Sequence, residues 1–327
     1  MRTTHQRLRI RSKYFGAPAG LPIAFCAFII GFSFAEPGIF FTAADFKAVV
    51  ITESTILLLS IAVLFPLRAG DFDLSVSALM VLSGAILLRL LGAGVPLAIA
   101  IILTLMSGVV VGLFNAIAVV KFGIDSFIAT LGTLSLLTGL GYFLTNSQTL
   151  INTSTGLSNF ANYNIGPFPL SVYYSWVFVI IAWYVFQKTP YGTYLIVVGR
   201  DRSAAARLGI PVQRIRMSAY VVASLMAAFA GVALTGFLGS VDATTSAAYL
   251  LPPYAAAYLG STTIVVGEFN SFGTLIALYF IAVGTIGFEL MGVSQWVGDV
   301  FSGAALLAGV LSSQLLARAS QRRLAAS

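Results

Sequence analysis

Charge is what this chain has least of. Only 9% of its 327 residues are Asp, Glu, Lys or Arg, against roughly 25% in a soluble domain. With 58% apolar residues and a mean hydropathy of +0.96, it cannot cover itself with a water-facing surface. It reads as a polytopic membrane protein. Cys26 is the only cysteine and His5 the only histidine, the latter in the N-terminal tail. A lone cysteine excludes an internal disulfide and a thiolate metal cluster. A lone tail histidine excludes histidine-based zinc sites, haem ligation and His-assisted nucleophiles as the main chemistry.

A phosphate-cradling loop is missing as well. Its pattern, G-x-x-x-x-G-K-[ST], needs a lysine directly after a glycine. The lysines here follow Ser12, Phe46, Val120 and Gln187. No nucleotide cofactor is therefore expected on this chain. There is no G-x-S-x-G elbow and no helix with paired metal ligands, so no catalytic or metal residue is assigned. Deep ionisable groups are scarce too, although ion-coupled carriers need them to hold a proton or sodium ion. Glu53, Arg89, Glu289 and Asp299 fall toward expected outer span ends, and Arg68, Asp71, Asp73, Lys121 and Asp125 toward inner ones. Neutral groups remain inside, and Asn115, Thr130, Thr133 and Thr285 are the candidate pathway residues. Such a lining suits an uncharged, hydroxyl-rich solute whose movement is driven from elsewhere.

What the chain does have is apolar runs of the length that crosses a bilayer core. Ten are expected, at 18–36, 48–67, 74–92, 95–120, 125–146, 170–187, 216–238, 249–266, 271–291 and 297–316. The fold class is thus an all-α membrane protein of about ten transmembrane helices, read as one transmembrane domain over 1–327. One or two helices are expected to be broken or re-entrant, above all 249–266 with its Pro252-Pro253 pair. Basic residues set the orientation. With the N-terminus inside, Arg68, Lys121 and the hydrophilic segment 188–216 all fall on the cytoplasmic side. So do the basic tails 1–17 and 317–327. The formal charge of +7 therefore reads as orientation charge facing anionic lipid, not as a nucleic-acid patch. The first run ends in Ser33-Phe34-Ala35, as a cleavable signal would, but Pro18 to Ala35 nearly spans a core and is expected to be retained.

Two hydrophilic segments stand out. Residues 146–169 carry no charge and are rich in Asn, Ser, Thr, Gly and Pro. They read as an external loop, either a solvated connector or a docking rim for an external protein. The segment 188–216 is basic, with Arg200, Arg202, Arg207, Arg214 and Arg216. Within it, Ser203 to Ile210 is a short helix-forming stretch stopped by Gly209 and Pro211. Elsewhere, Asp73 with Ser75 is placed to cap the start of the third span, or else to meet solute or gate the inner mouth. Gly108-x-x-x-Gly112 is a close-packing helix face, within one subunit or between two.

Gly70-Asp-Phe-Asp-Leu-Ser-Val76 closely resembles the G-x-x-D-L-S-V signature of the ribose-type sugar ABC transporter permeases. The likeness continues, in order, through Asn115, Phe127 to Thr133, Gly199 to Ile210, Gly273-Thr274 and Met291 to Ser294. Ser77-Ala78 and Gly267-Glu-Phe-Asn270 depart from the usual pattern. The resemblance implies the inner-membrane component of a binding-protein-dependent importer in a bacterial cell membrane. Two such subunits, like or unlike, would pair, bind two cytoplasmic ATPase chains carrying Mg-ATP, and receive solute from a binding protein. It also implies that 188–216 carries a coupling helix, with Arg200, Asp201, Arg202, Ala204, Ala205, Arg207, Leu208 and Gly209 at the ATPase. Asp71, Asp73 and Ser75 are the candidate residues of the signature loop. A stand-alone ion-coupled carrier, a membrane enzyme or receptor, and a same-family permease for an amino acid, nucleoside or furanone signal are the competing readings.

Overall fold

The computed structural model describes residues 20–35, 40, 42–152, 154–294 and 296–325, and these are almost wholly helical. The N-terminal tail 1–17 lies outside the described residues. The helices are α1 (Gly20–Ala35), α2 (Ala43–Arg68), α3 (Val76–Gly92), α4 (Leu97–Ala116), α5 (Ser126–Thr145), α6 (Thr155–Ala161) and α7 (Leu170–Lys188). They continue as α8 (Pro190–Arg200), α9 (Arg202–Arg207), α10 (Val212–Leu238), α11 (Leu251–Gly260), α12 (Ser271–Leu290) and α13 (Trp296–Ala325). A π-helical turn, Ile117–Lys121, extends α4.

Among the described residues, six segments are long and apolar enough to cross a membrane: α2, α4 with its extension, α5, α7, α10 and α12. Helices α1 and α3 and the first part of α13 are apolar but shorter. At 1.5 Å per residue, the 17 residues of α3 cover about 26 Å of a core about 30 Å thick. The expected run 249–266 folds differently from the others. A 3-10 turn, Ala243–Tyr249, leads into α11, and turns follow up to Asn270. Helix α11 has ten residues and is too short to cross. Pro252 and Pro253 fall in its first turn, where a missing N–H breaks no helical bond. The segment expected as a C-terminal tail, 317–327, continues α13 as helix through Ala325.

Helix ends are set by local chemistry. Asp125 caps α5 by accepting from the backbone amides of Phe127 and Ile128. Thr189 caps α8 with Pro190 just inside it, and Asn270 caps α12 through the amide of Gly273. Gly239, at φ 69°, closes α10 in the left-handed conformation that glycine adopts without steric cost.

The chain forms two compact units, Val50–Pro253 and a second made of Met1–Val49 with Tyr254–Ser327. In the first, α3 and α10 are the buried pair. A Cβ on Gly231 of α10 would collide with the Met80 carbonyl of α3, and one on Gly84 with the Thr235 hydroxyl. The Gly108-x-x-x-Gly112 face packs within this unit: added Cβ atoms would lie 2.7 Å from Ala228 Cβ and 2.8 Å from Val221 Cα on α10. Strand β1 (Leu150–Ile151) pairs antiparallel with β4 (Ser240–Val241), tying the segment 146–169 to the end of α10. A second small ribbon joins β2 (Asn164–Ile165) to β3 (Phe168–Pro169). In the other unit, Phe28 and Phe32 of α1, Phe280 and Phe288 of α12 and Phe301 of α13 form an aromatic cluster. Ring centroids there lie as close as 5.0 Å. Gly284 and Gly287 leave room for the Phe301 and Phe32 rings.

Candidate functional site

The signature motif forms the loop between α2 and α3, and its chemistry divides at Phe72. Gly70 turns the chain at φ 75° and meets Gly199, the penultimate residue of α8. A Cβ on Gly70 would sit 3.1 Å from the Gly199 carbonyl oxygen, and one on Gly199 would strike the Arg68 carbonyl. Two glycines thus let the loop and the hydrophilic hairpin touch backbone to backbone.

Asp71 follows at once, with only 2% of its side chain exposed. Its Oδ2 accepts from Arg216 Nε at 2.7 Å, and its Oδ1 accepts from Arg216 Nη2 at 2.8 Å. Oδ1 also accepts from Arg202 Nη2 at 2.9 Å, and that nitrogen lies 3.2 Å from the Gly70 carbonyl. A buried carboxylate is costly unless paired and hydrogen-bonded, and two arginines meet that need here. Arg216 stands on the first turns of α10 and Arg202 opens α9, so one carboxylate links the loop, the hydrophilic hairpin and a buried helix.

The second half of the loop is held from the other side. Asp73 Oδ1 accepts from the Ser75 amide at 3.1 Å, the Ser75 hydroxyl at 2.6 Å and Asn115 Nδ2 at 3.3 Å. Asn115 Nδ2 also donates to Ser75 Oγ at 2.8 Å, and Asn115 Oδ1 accepts from Thr133 Oγ1 at 2.7 Å. The Leu74 amide donates to Thr130 Oγ1 at 3.1 Å and the Phe72 amide to Ser126 Oγ at 3.1 Å. Tyr220 of α10 donates its hydroxyl to the Phe72 carbonyl at 3.1 Å. Burial pushes the Asp73 carboxyl up to about 6, and the Ser75 hydrogen bonds pull the other way.

These contacts locate the residues expected along the pathway and at the start of α3. Asn115, Thr130 and Thr133 were expected to line a pathway. They are buried and face the signature loop, so they act here as its clamp. Their spacing alone could not show this, because the partners lie 18 to 56 residues away in sequence. Thr285 belongs to the other compact unit and is half-buried, its methyl group 3.0 Å from where a Gly298 Cβ would stand. Ser75 was expected to help cap α3. Its side chain makes no cap bond, and Asp73 instead forms a turn onto the amide of Ser75 one residue earlier.

The hairpin α8–α9 presents the other candidate residues. Asp201 caps α9, its Oδ1 accepting from the amides of Ser203 and Ala204, both at 2.9 Å, and from the Ser203 hydroxyl at 2.7 Å. Those bonds, with the nearby Arg207 charge, hold its carboxyl below the usual range. Helix α9 has six residues and ends at Leu208 and Gly209, where φ is 76°. Its two faces differ. Ala205, expected at an ATPase, is fully buried against the chain itself, and Ala204 is half-buried. Arg200, Arg202, Arg207, Leu208 and Gly209 are exposed, Leu208 by 74%. No cluster that could hold a metal occurs among the described residues.

The architecture is that of a multi-pass helical membrane protein whose signature loop is bonded to an exposed basic hairpin. Residues 46–310 match the family described as branched-chain amino acid transport system / permease component, and the chain belongs to that family. Among curated relatives it is 33% identical over 199 residues to the ribose import permease protein RbsC of Bacillus subtilis, covering 60% of this chain and 62% of the relative. It is 28% identical over 214 residues to the ribose import permease protein RbsC of Haemophilus influenzae, covering 63% and 65%. It is 24% identical over 305 residues to the L-arabinose ABC transporter permease protein AraH of Azospirillum brasilense, covering 93% and 89%. The chain spans under two thirds of the length of the two ribose relatives.

Proposed function

We propose that this chain is the membrane permease subunit of an ATP-binding cassette importer in a bacterial inner membrane. It moves a monosaccharide or a similar polar solute handed over by a binding protein. Two partner chains supply ATP hydrolysis, and a second permease subunit, like or unlike this one, completes the pathway. Family membership and the relatives named for ribose and arabinose support the solute class. The lack of a Gly-Lys pair supports the division of labour with an ATPase chain. In this reading the ten apolar segments are counted with α11 re-entrant, and both termini and the hairpin face the cytoplasm.

The observation that carries the reading is the hairpin. A basic, exposed six-residue helix ending in an exposed leucine is bonded through Asp71 to the loop that starts a buried central helix. An element of this kind, exposed on one face and tied to the helix core on the other, suits transmission of an ATPase movement. Leu208, Arg207 and Gly209 form the docking face, and Ala205 supports it from within.

The test is capture of the ATPase by the tagged permease in mild detergent, with Leu208→Glu as the probe. The wild-type chain is expected to retain a P-loop ATPase. The variant should insert normally and lose most of it, because a charge replaces the apolar contact. Equal capture by both would remove α9 as the docking element.

A further inference from the structure

The two arginines on Asp71 are not equivalent. Arg216 grips both carboxylate oxygens with two nitrogens, and its side chain is only 11% exposed. Arg202 reaches one oxygen with one nitrogen, shares that nitrogen with the Gly70 carbonyl, and is 48% exposed. Arg216 is rooted in the long helix α10. Arg202 opens the six-residue α9, which stands at the hairpin surface beside exposed Arg207 and Leu208.

We propose that Asp71 is held by one fixed and one releasable arginine, and that Arg202 is a latch through which the hairpin helix engages and leaves the signature loop. The proposal rests on the reading of α9 as the ATPase-docking helix. The physical reason for two arginines is charge balance. Were Arg202 the only partner, its departure would strand a carboxylate that is 2% exposed, which is prohibitively costly. With Arg216 bidentate and largely buried, Arg202 can leave and Asp71 stays neutralised. A carboxylate on a docked ATPase is the chemistry that would compete for it, exchanging one charge-assisted hydrogen bond for another. The structure holds the latched arrangement. The second half of the loop does not share this freedom, because the amides of Phe72 and Leu74 and the Asp73 carboxylate are held from α4 and α5. Release at Arg202 would therefore separate α9 from a loop that keeps its own shape. Arg202 is a positioning residue in this account, and it touches no solute.

The experiment uses the assembled transporter in proteoliposomes, with ATP hydrolysis and solute uptake measured together and ATPase capture measured in parallel. Arg202→Gln is expected to fold as the wild type does and to keep ATPase capture through Leu208, weakened by the one charge contact it loses. It should raise the ATP spent per solute moved by about tenfold, within the range of typical coupling free energies between two sites. Arg202→Lys keeps the charge and should restore most of the coupling. Arg216→Gln is the structural control, expected to lower the yield of folded chain. An Arg202→Gln transporter with wild-type ATP-to-solute stoichiometry would overturn the latch. So would an Arg202→Gln chain that misfolds as Arg216→Gln does. Failure of the wild-type chain to capture any ATPase is a different result: it would remove the docking reading, and the latch with it.

Discussion

Asp71 and Asn115 each bridge segments far apart in the chain, and both depend on complete pairing. Asn115 donates to Asp73 and Ser75 and accepts from Thr133, so removing its amide takes one bond from each of three buried groups, which keep their bonds to one another or to the Ala129 carbonyl. Asn115→Leu is near in size but cannot bond, and should cost about 1–3 kcal/mol in all. A thermal unfolding curve in detergent measures it, and an unchanged midpoint would show that the clamp does not hold the loop. Asp71 is more demanding, because Arg216→Ala removes two of its three arginine contacts. Breaking a buried pair on one side costs about 3–5 kcal/mol, so this variant should show a lowered midpoint and poor yield. Asp201 gives a pH signature. Its carboxyl titrates below its unfolded value, so the stability it lends α9 is full above the ordinary carboxylate range, near 4, and is lost as pH falls through the lowered value. Hydrogen exchange corrected for intrinsic rates should find α9 equally protected at neutral and mildly acidic pH and fraying below it. Asp201→Asn keeps a capping oxygen without the titration and should flatten that profile.

At the scale of elements, close packing decides what the chain tolerates. Where α4 crosses α10, Gly108 and Gly112 lie against Ser224, Ala228 and Val221, with no space for a larger side chain. Gly108→Leu should force the two helices apart and lower the yield of folded chain, readable as loss of the monodisperse peak in size-exclusion chromatography. Wild-type behaviour would mean that the helices can part without cost. The helix runs were legible in the sequence because each carries its own apolar length, and α2, α4, α5, α7, α10 and α12 lie close to the expected segments. Asp125 and Thr189 cap their helices through purely local contacts that the sequence reading did not single out, whereas Ser75, expected to help cap α3, makes no side-chain cap bond. The clamp on the signature loop was not legible, since nothing local tells Asn115 that its partners are Asp73 and Thr133. The inward face of α9 was equally hidden: Ala204 and Ala205 are adjacent and chemically identical, yet only Ala205 is fully buried. Helix α11 shows a third case, in which proline signalled an interruption without giving the length of the helix it opens.

For the whole molecule, the unit Val50–Pro253 carries the signature loop, its clamp and the hairpin. The other unit is held by its own phenylalanine cluster. Helices α4 and α5 leave broad apolar faces uncovered, among them Ile102, Met106 and Val110 on one and Ile128, Leu136 and Phe143 on the other. In a membrane protein such faces are the surfaces for lipid or for a second subunit, because apolar exposure there carries no cost. The charge pattern places the exposed hairpin on the cytoplasmic side in our reading, where an ATPase can reach it. The most direct measurement is purification of the tagged wild-type chain from its native membranes in mild detergent, with mass spectrometry of what accompanies it. The account predicts a P-loop ATPase at near-equal amount, and its reproducible absence from an intact, folded chain would contradict it.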